Sequence, residues 1–157
     1  MKHFRVVLFT LLAVVLTGAL DAQKMPVSPL VQAALLKKIF KFDKALSAKE
    51  TVTVTVIGGG DEILSALKSV GINATSGTGV GGDVVYVGSD PTTKAATAKA
   101  GVLSVSGIPS NAEKGFVSIG FGVEEGGKPK IVINMTQLKA EGHELSADLL
   151  VLARIIQ

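Results

Sequence analysis

The chain has 157 residues, with 16 Lys and Arg against 13 Asp and Glu, so its formal charge is +3. It contains no Cys, no Trp and a single Tyr. Without Cys the chain forms no disulfide and requires no oxidising compartment for its stability. The small charge and the scarcity of aromatic rings for base stacking exclude nucleic acid as a partner.

The first 22 residues have the composition of a secretory signal peptide. Lys2 and Arg5 supply a positive start, and the apolar run over residues 6–16 is interrupted only by Thr10. This run is too short to cross a bilayer, for which a helix needs about 20 residues. An uncleaved anchor is the alternative that this length disfavours.

Cleavage is expected after Ala22, with a site after Ala19 as the alternative, because small residues precede both. The mature chain then starts at Gln23, and no Cys is present there to carry a lipid. We therefore expect a periplasmic protein that is not anchored to the membrane, or alternatively a secreted one. Residues 23–157 are predicted to form a single α/β domain.

Helix and strand signals alternate over the first two thirds of the mature chain. Ser28-Pro29 predicts the start of an amphipathic helix, with Ser28 as the N-cap and Pro29 in the first helical position. This helix is expected to run to about Ala45. Its lysine-rich end is interpreted as a solvated face, with contact to anionic lipid as an alternative. The alternating residues Thr51–Ile57 indicate a strand. The turn at 58–60 is followed by a helix that Asp61 caps and Gly71 ends.

The next signals continue this alternation and then change to a hairpin. We predict an extended piece at 72–75, strands at 83–88 and 102–105, and between these strands a helix that Asp90-Pro91 starts and Gly101 ends. Strands at 116–123 and 131–134 surround a charged, glycine-rich hairpin loop. The final prediction is a buried helix over 146–156, because that segment is apolar nearly all round.

These elements predict a three-layer, Rossmann-like α/β fold. The early strands should form a parallel core through right-handed crossovers, with the C-terminal hairpin pair towards one edge of a mixed sheet and helices on both sides.

The segment Gly77–Gly82 matches the literal G-x-G-x-x-G pattern of dinucleotide sites. That pattern requires a helix after it, whose N-terminus faces the pyrophosphate. A strand is predicted here instead, so we interpret the segment as a flexible loop. Gly58–Gly60 lies between a strand and a helix but lacks the spacing of both nucleotide motifs, and a tight turn is favoured.

Possible metal and catalytic groups are few. His143, between Glu141 and Glu144, is the only His of the mature chain, and it lacks the ligand number and spacing of a zinc site. Asp83 and Asp90 could pair as acid and base. The preferred interpretation is that they lie at the ends of a strand and that Asp90 caps the next helix. The candidate nucleophiles, none of them in a G-x-S-x-G elbow, are Ser76, Ser89, Ser104, Ser106, Ser110, Ser118 and Ser146. We predict no catalytic, cofactor-binding or metal-binding residues and no enzymatic activity.

The last third of the chain resembles the closing signature of the YfiR/HmsC family. The residues that carry the resemblance are a glycine-led strand at Gly115-Phe116-Val117, a strand ending in Ile133-Asn134, and a Gly-x-x-Leu-Ser-x-x-Leu-Leu-x-Leu-Ala segment at 142–153. Two features depart from the family pattern. The chain lacks the Cys of several members, and it has Asp43-Lys44-Ala45 where many have Trp-Pro.

The resemblance implies a periplasmic regulator that binds the sensor domain of an inner-membrane diguanylate cyclase and holds it inactive, in cyclic di-GMP signalling. Two other functions stay open on the residues themselves. One is a periplasmic module that binds a small ligand at the glycine-rich loop, and the other is an exported enzyme with an unmarked site. A homodimer also stays open.

Overall fold

The computed structural model describes residues 27–89 and 99–157. The predicted signal peptide, its cleavage site and most of the helix predicted after Asp90-Pro91 lie outside these ranges. Helices of the described residues are α1 (Pro29–Phe42), α2 (Lys44–Ser47), α3 (Gly60–Ser69), α4 (Pro109–Glu113), α5 (Met135–Ala140) and α6 (Ala147–Val151). Strands are β1 (Thr53–Ile57), β2 (Asn73–Ser76), β3 (Val84–Val87), β4 (Leu103–Ser106), β5 (Ile119–Val123), β6 (Pro129–Asn134) and β7 (Ala153–Ile156).

The strands form one seven-stranded sheet in the order β2-β1-β3-β4-β5-β6-β7. Strands β5 and β6 are antiparallel, and every other neighbouring pair is parallel. This confirms the predicted Rossmann-like fold class with its mixed sheet. The hairpin pair lies towards one end of the sheet, as expected, but β7 lies beyond it and forms the edge.

Helix α1 begins as the sequence predicts and ends earlier. The Ser28 hydroxyl accepts a hydrogen bond from the amide of Val31, and Pro29 occupies the first turn. The helix ends at Phe42 rather than near Ala45, because Asp43 takes an extended conformation with ψ of 126°. The Asp43 carboxylate then caps the short helix α2, and this local competition for the backbone ends α1.

Helix α3 has a different start from the predicted one. Gly59, not Asp61, is the N-cap residue, and no side chain caps the helix. Asp61 lies in the first turn, where its charge still suits the helix dipole. Gly71 follows the helix with φ of 78°, which confirms it as the residue that ends α3.

The prediction of a final helix over 146–156 is wrong. Helix α6 ends at Val151, and Ala153–Ile156 pair in parallel with β6, from Ile131↔Ala153 to Asn134↔Ile156. An apolar run does not by itself distinguish a buried helix from a strand, and the β-branched Ile155 and Ile156 suit a strand. The neighbouring strand β6 decides the outcome.

The sheet has an apolar core on each side. In the larger cluster, Ile39 of α1 and Leu67 of α3 pack with sheet residues such as Phe121, and the cluster extends to the C-terminal helices α5 and α6. The smaller one contains Val85, Val87, Val102, Ala112, Val117 and Val132. Strands β3 and β4 are buried throughout, as expected for central parallel strands with both faces covered.

Candidate functional site

The glycine-rich loop 77–82 crosses the threonine face of β1. Two backbone hydrogen bonds of 3.0 Å hold its ends against β1. The amide of Gly77 donates to the carbonyl of Val56, and the amide of Asp83 donates to the carbonyl of Thr53. A Cβ at Gly77 would lie 2.7 Å from Cγ2 of Thr55. The glycines therefore allow the loop backbone to lie against the strand, where a helix would otherwise form the crossover.

A strand follows this loop, as predicted. Because β3 begins at Val84, the segment after the loop does not supply the helix N-terminus that a dinucleotide site needs. The turn at Gly58–Gly60 packs directly against the backbone of Gly88. A Cβ at Gly88 would lie 2.0 Å from Cα of Gly59, so no side chain fits between them. This contact between two backbones explains the tight glycine turn.

Glu141 is a buried carboxylate, 1% exposed, at the end of α5. One oxygen accepts hydrogen bonds from the Ser104 hydroxyl at 2.5 Å and the Gln137 amide at 2.9 Å. The other accepts from the Ser104 backbone N–H at 3.0 Å and from the Ser118 hydroxyl. Four donors satisfy the carboxylate, so it joins β4, α5 and the start of β5.

His143 contacts a different carboxylate. Its Nδ1 lies 2.8 Å from Oδ2 of Asp43, and both side chains are buried. The other Asp43 oxygen accepts from the amides of Ala45 and Leu46, at 2.9 Å each. This pair, like the bridge between Asp43 and Leu145, joins the break after α1 to the segment before α6.

The side chains at 141, 143 and 144 thus contact separate partners. Glu144 is exposed and pairs with Lys44 at 3.5 Å. Within residues 27–89 and 99–157, no three His, Cys, Asp or Glu side chains are grouped so that they could hold a metal ion.

The candidate serines do not form a nucleophile–base pair with His143. Its Nε2 is buried without a hydrogen-bond partner in the described residues, and the same is true of the Ser146 hydroxyl, so the two groups are not bonded to each other. Ser104 and Ser118 bind Glu141, and the Ser106 hydroxyl donates to the carbonyl of Val87 at 2.8 Å.

Asp83 has a structural role at the start of β3. Its carboxylate accepts from the Thr53 amide at 2.8 Å, from the Thr53 hydroxyl at 2.9 Å and from the Lys49 ammonium. Burial raises the pKa of Asp83, but these hydrogen bonds and the Lys49 charge outweigh it and hold the pKa below its usual value. Asp90, its suggested partner, lies outside the described residues.

Sequence reasoning missed an exposed apolar surface at the C-terminal end. Val151 is 84% exposed, Leu152 is 76% exposed and Ile155 is 37% exposed. We call these three residues the C-terminal apolar surface. They lie in or beside β7, which pairs with β6 alone among the described strands and so leaves one edge free. The signal in the sequence was the Ile155-Ile156 pair, which favours a strand.

One comparison with known proteins identifies a family. A family model described as YfiR/HmsC-like matches residues 30–154, nearly all of the described chain. No curated protein shows significant sequence similarity to it. Within the described residues, none of the helices is both long enough and apolar enough to span a membrane.

Proposed function

The chain belongs to the YfiR/HmsC-like family of regulatory, periplasmic proteins, and we propose that it is exported and restrains a membrane-bound diguanylate cyclase or a similar sensor. In this proposal it binds the periplasmic domain of that protein and is not itself an enzyme. The proposal extends the family's regulatory character to a particular class of partner.

The C-terminal apolar surface is the observation that carries this proposal. The side chains of Val151 and Leu152 are 84% and 76% exposed to water, which is unfavourable for aliphatic groups. A partner that covers them would therefore be bound with a favourable free energy. No other strand of the described residues pairs with the outer edge of β7, so an extended segment of a partner can form a further strand on its backbone donors and acceptors.

A partly exposed ion pair lies on the same strand as Ile155. Arg154 on β7 pairs with Glu113 at 2.6 Å, and both side chains are partly exposed, at 49% and 38%. An apolar centre with a polar rim is the usual anatomy of a protein interface. Because the formal charge of the chain is only +3, we expect affinity to come from the apolar centre rather than from long-range attraction.

Restraint of a sensor requires differential binding. A protein that bound the active and inactive states equally would shift nothing, whatever its affinity. A change from mostly active to mostly inactive requires about 5 kcal/mol of preference for the inactive state. Burial of the C-terminal apolar surface in only one of these states is a physical source of such a preference.

The test is complementation of a deletion strain. Deletion should raise cellular cyclic di-GMP, and the native chain should restore the low level. Leu152→Asp should fold, because the side chain is exposed, but should fail to restore it. Ser65→Asp adds the same charge on the exposed side of α3 and should restore the low level fully.

Two results would contradict the proposal. Unchanged cyclic di-GMP after a clean deletion would remove the cyclase as the target. Full restoration by Leu152→Asp would remove the C-terminal apolar surface as the site of contact.

A further inference from the structure

A pocket of about 520 Å³ opens at the opposite edge of the sheet from β7. It lies between the C-terminal half of α1, the short helix α2 and the segments that lead into β1 and β2. This volume is within the range of small-molecule sites. Its apolar wall consists of Phe40, Leu46, Val52 and Ile72.

Cationic groups dominate the rim of this pocket. Lys37, Lys41 and Lys49 line it, against the single carboxylate of Glu50. Lys49 is already paired with Asp83. We call the site the lysine-rimmed pocket.

Lys37 has an ammonium group that is held in place and still has donors to offer. Its Nζ donates to the carbonyl of Val70 at 2.5 Å, at the end of α3. An ammonium group has three N–H donors, so two remain for another acceptor. The position of this cation is set before any ligand arrives, which reduces the entropy lost on binding.

Lys41 lies four residues further along α1, on the same side of the helix as Lys37. Its ammonium group makes no hydrogen bond and no ion pair with another of the described residues. Like charges at this spacing repel each other by a few tenths of a kcal/mol. An anion between the two ammonium groups would be attracted to both of them, and these two attractions would offset the repulsion.

We propose that the lysine-rimmed pocket binds a small organic anion, in which a carboxylate, sulfonate or phosphate is joined to a compact apolar group. The anionic group contacts Lys37 and Lys41, and the apolar group packs against Phe40 and Ile72. The site is separate from the C-terminal apolar surface, because β2 and β7 are the two opposite edges of the sheet. It therefore stands whether or not the proposed partner is correct.

A matched pair of fluorescent probes tests this inference. The probe 8-anilino-1-naphthalenesulfonate has an anionic group on an aromatic body, and N-phenyl-1-naphthylamine has the same body without the charge. The native chain should bind the sulfonate more tightly than the neutral probe. Raising the salt concentration should reduce that difference, since exposed charges are screened.

Charge variants then locate the site. The double variant Lys37→Gln/Lys41→Gln should weaken binding of the sulfonate by about tenfold, the loss expected for two partly exposed charge contacts. Lys38→Gln/Lys68→Gln removes the same charge from exposed positions outside the pocket and should leave the affinity unchanged. Far-ultraviolet circular dichroism verifies that both variants are folded.

Three results would overturn the inference. The first is equal affinity for the two probes. The second is loss of sulfonate binding in Leu152→Ser, which would place the probe on the C-terminal apolar surface. The third is binding to phosphatidylglycerol vesicles, measured by sedimentation, that the two double variants weaken to the same extent. This would identify the lysines of α1 and α3 as a membrane-contacting face rather than part of a ligand site.

Discussion

Glu141 is an acidic residue with a structural role in this protein. Its carboxylate is buried, yet every approach to it is occupied by a donor from Ser104, Ser118 or Gln137. Burying a charge without such partners would cost several kcal/mol. The same reasoning applies to Asp43, whose carboxylate accepts hydrogen bonds from two backbone amides and contacts the ring of His143. These groups belong to the framework and are not exposed for chemistry.

A first prediction concerns Glu141→Gln. The substituted amide has nearly the same shape, but its NH₂ group would oppose donors that now point at a carboxylate oxygen. We expect the free energy of unfolding to fall by about 1–3 kcal/mol, the cost of leaving buried donors unpaired. Glu144→Gln is the control, because its ion pair with Lys44 is exposed, and it should change stability by less than about 0.5 kcal/mol. Urea melts measure both, and equal effects would contradict the assignment.

A second prediction concerns pH and Asp83. Its pKa is lowered in the folded state from the usual value of 3.8, so its hydrogen bonds stabilise the fold fully above that value. The contribution is lost as the pH falls through the lowered folded-state pKa. The stability difference between the native chain and Asp83→Asn should therefore be greatest near neutral pH and shrink in acid. A difference that stays constant on acidification, in urea melts, would show that the charge of Asp83 is not responsible.

At the scale of elements, neighbouring strands fix the conformation of two segments. The predicted glycine-rich loop forms the crossover from β2 to β3, and it lies directly on Thr53 and Thr55 of β1. Strand β7 replaces the second half of a predicted helix because β6 offers an unpaired edge. In both cases the local sequence is compatible with more than one conformation, and a neighbouring strand selects one.

A third prediction follows from the end of α6. Leu149 is 4% exposed and packs in the larger core, whereas Leu152 is 76% exposed. Leu149→Ala should cost about 2–5 kcal/mol of stability, as core truncations do. Leu152→Ala should cost less than about 0.5 kcal/mol. The sequence alone ranks Leu152 as a core residue, so urea melts of the two variants distinguish the helix prediction from the observed strand.

On the scale of the whole molecule, the two edges of the sheet have different surfaces. The β7 edge has exposed aliphatic side chains and no pairing strand from the described part of the chain, and the β2 edge lies beside the lysine-rimmed pocket. A partner protein at one edge and a small anion at the other can bind the same molecule together. Comparing the affinity for one with and without the other would measure any coupling between them.

A fourth prediction concerns export. We propose that residues 1–22 are removed and that residues 23–157 form one folded unit. Intact-mass measurement on protein from the periplasmic fraction should give a chain that begins at Gln23. A mass that begins at Leu20 would move the cleavage site, and recovery of the full chain in membranes would contradict export.

The sequence by itself determined the fold class and most element positions. The alternating Val of β1, the buried run of β3 and the Ser28-Pro29 start of α1 are local signals, because burial on one face and capping depend on nearby residues. The same holds for Gly71, whose positive φ ends α3. The closing segment at 142–153 also carried the family resemblance.

Only the tertiary structure decided which partners the ambiguous residues acquire. Glu141 and His143 are two residues apart, yet one contacts Ser104 and the other contacts Asp43, which is 100 positions away from His143. Leu149 and Leu152 look alike in sequence, but Leu149 packs in the larger core at 4% exposure, whereas Leu152, at the end of α6, is 76% exposed. Contacts between distant segments carry no local signature, because they depend on how the sheet brings those segments together.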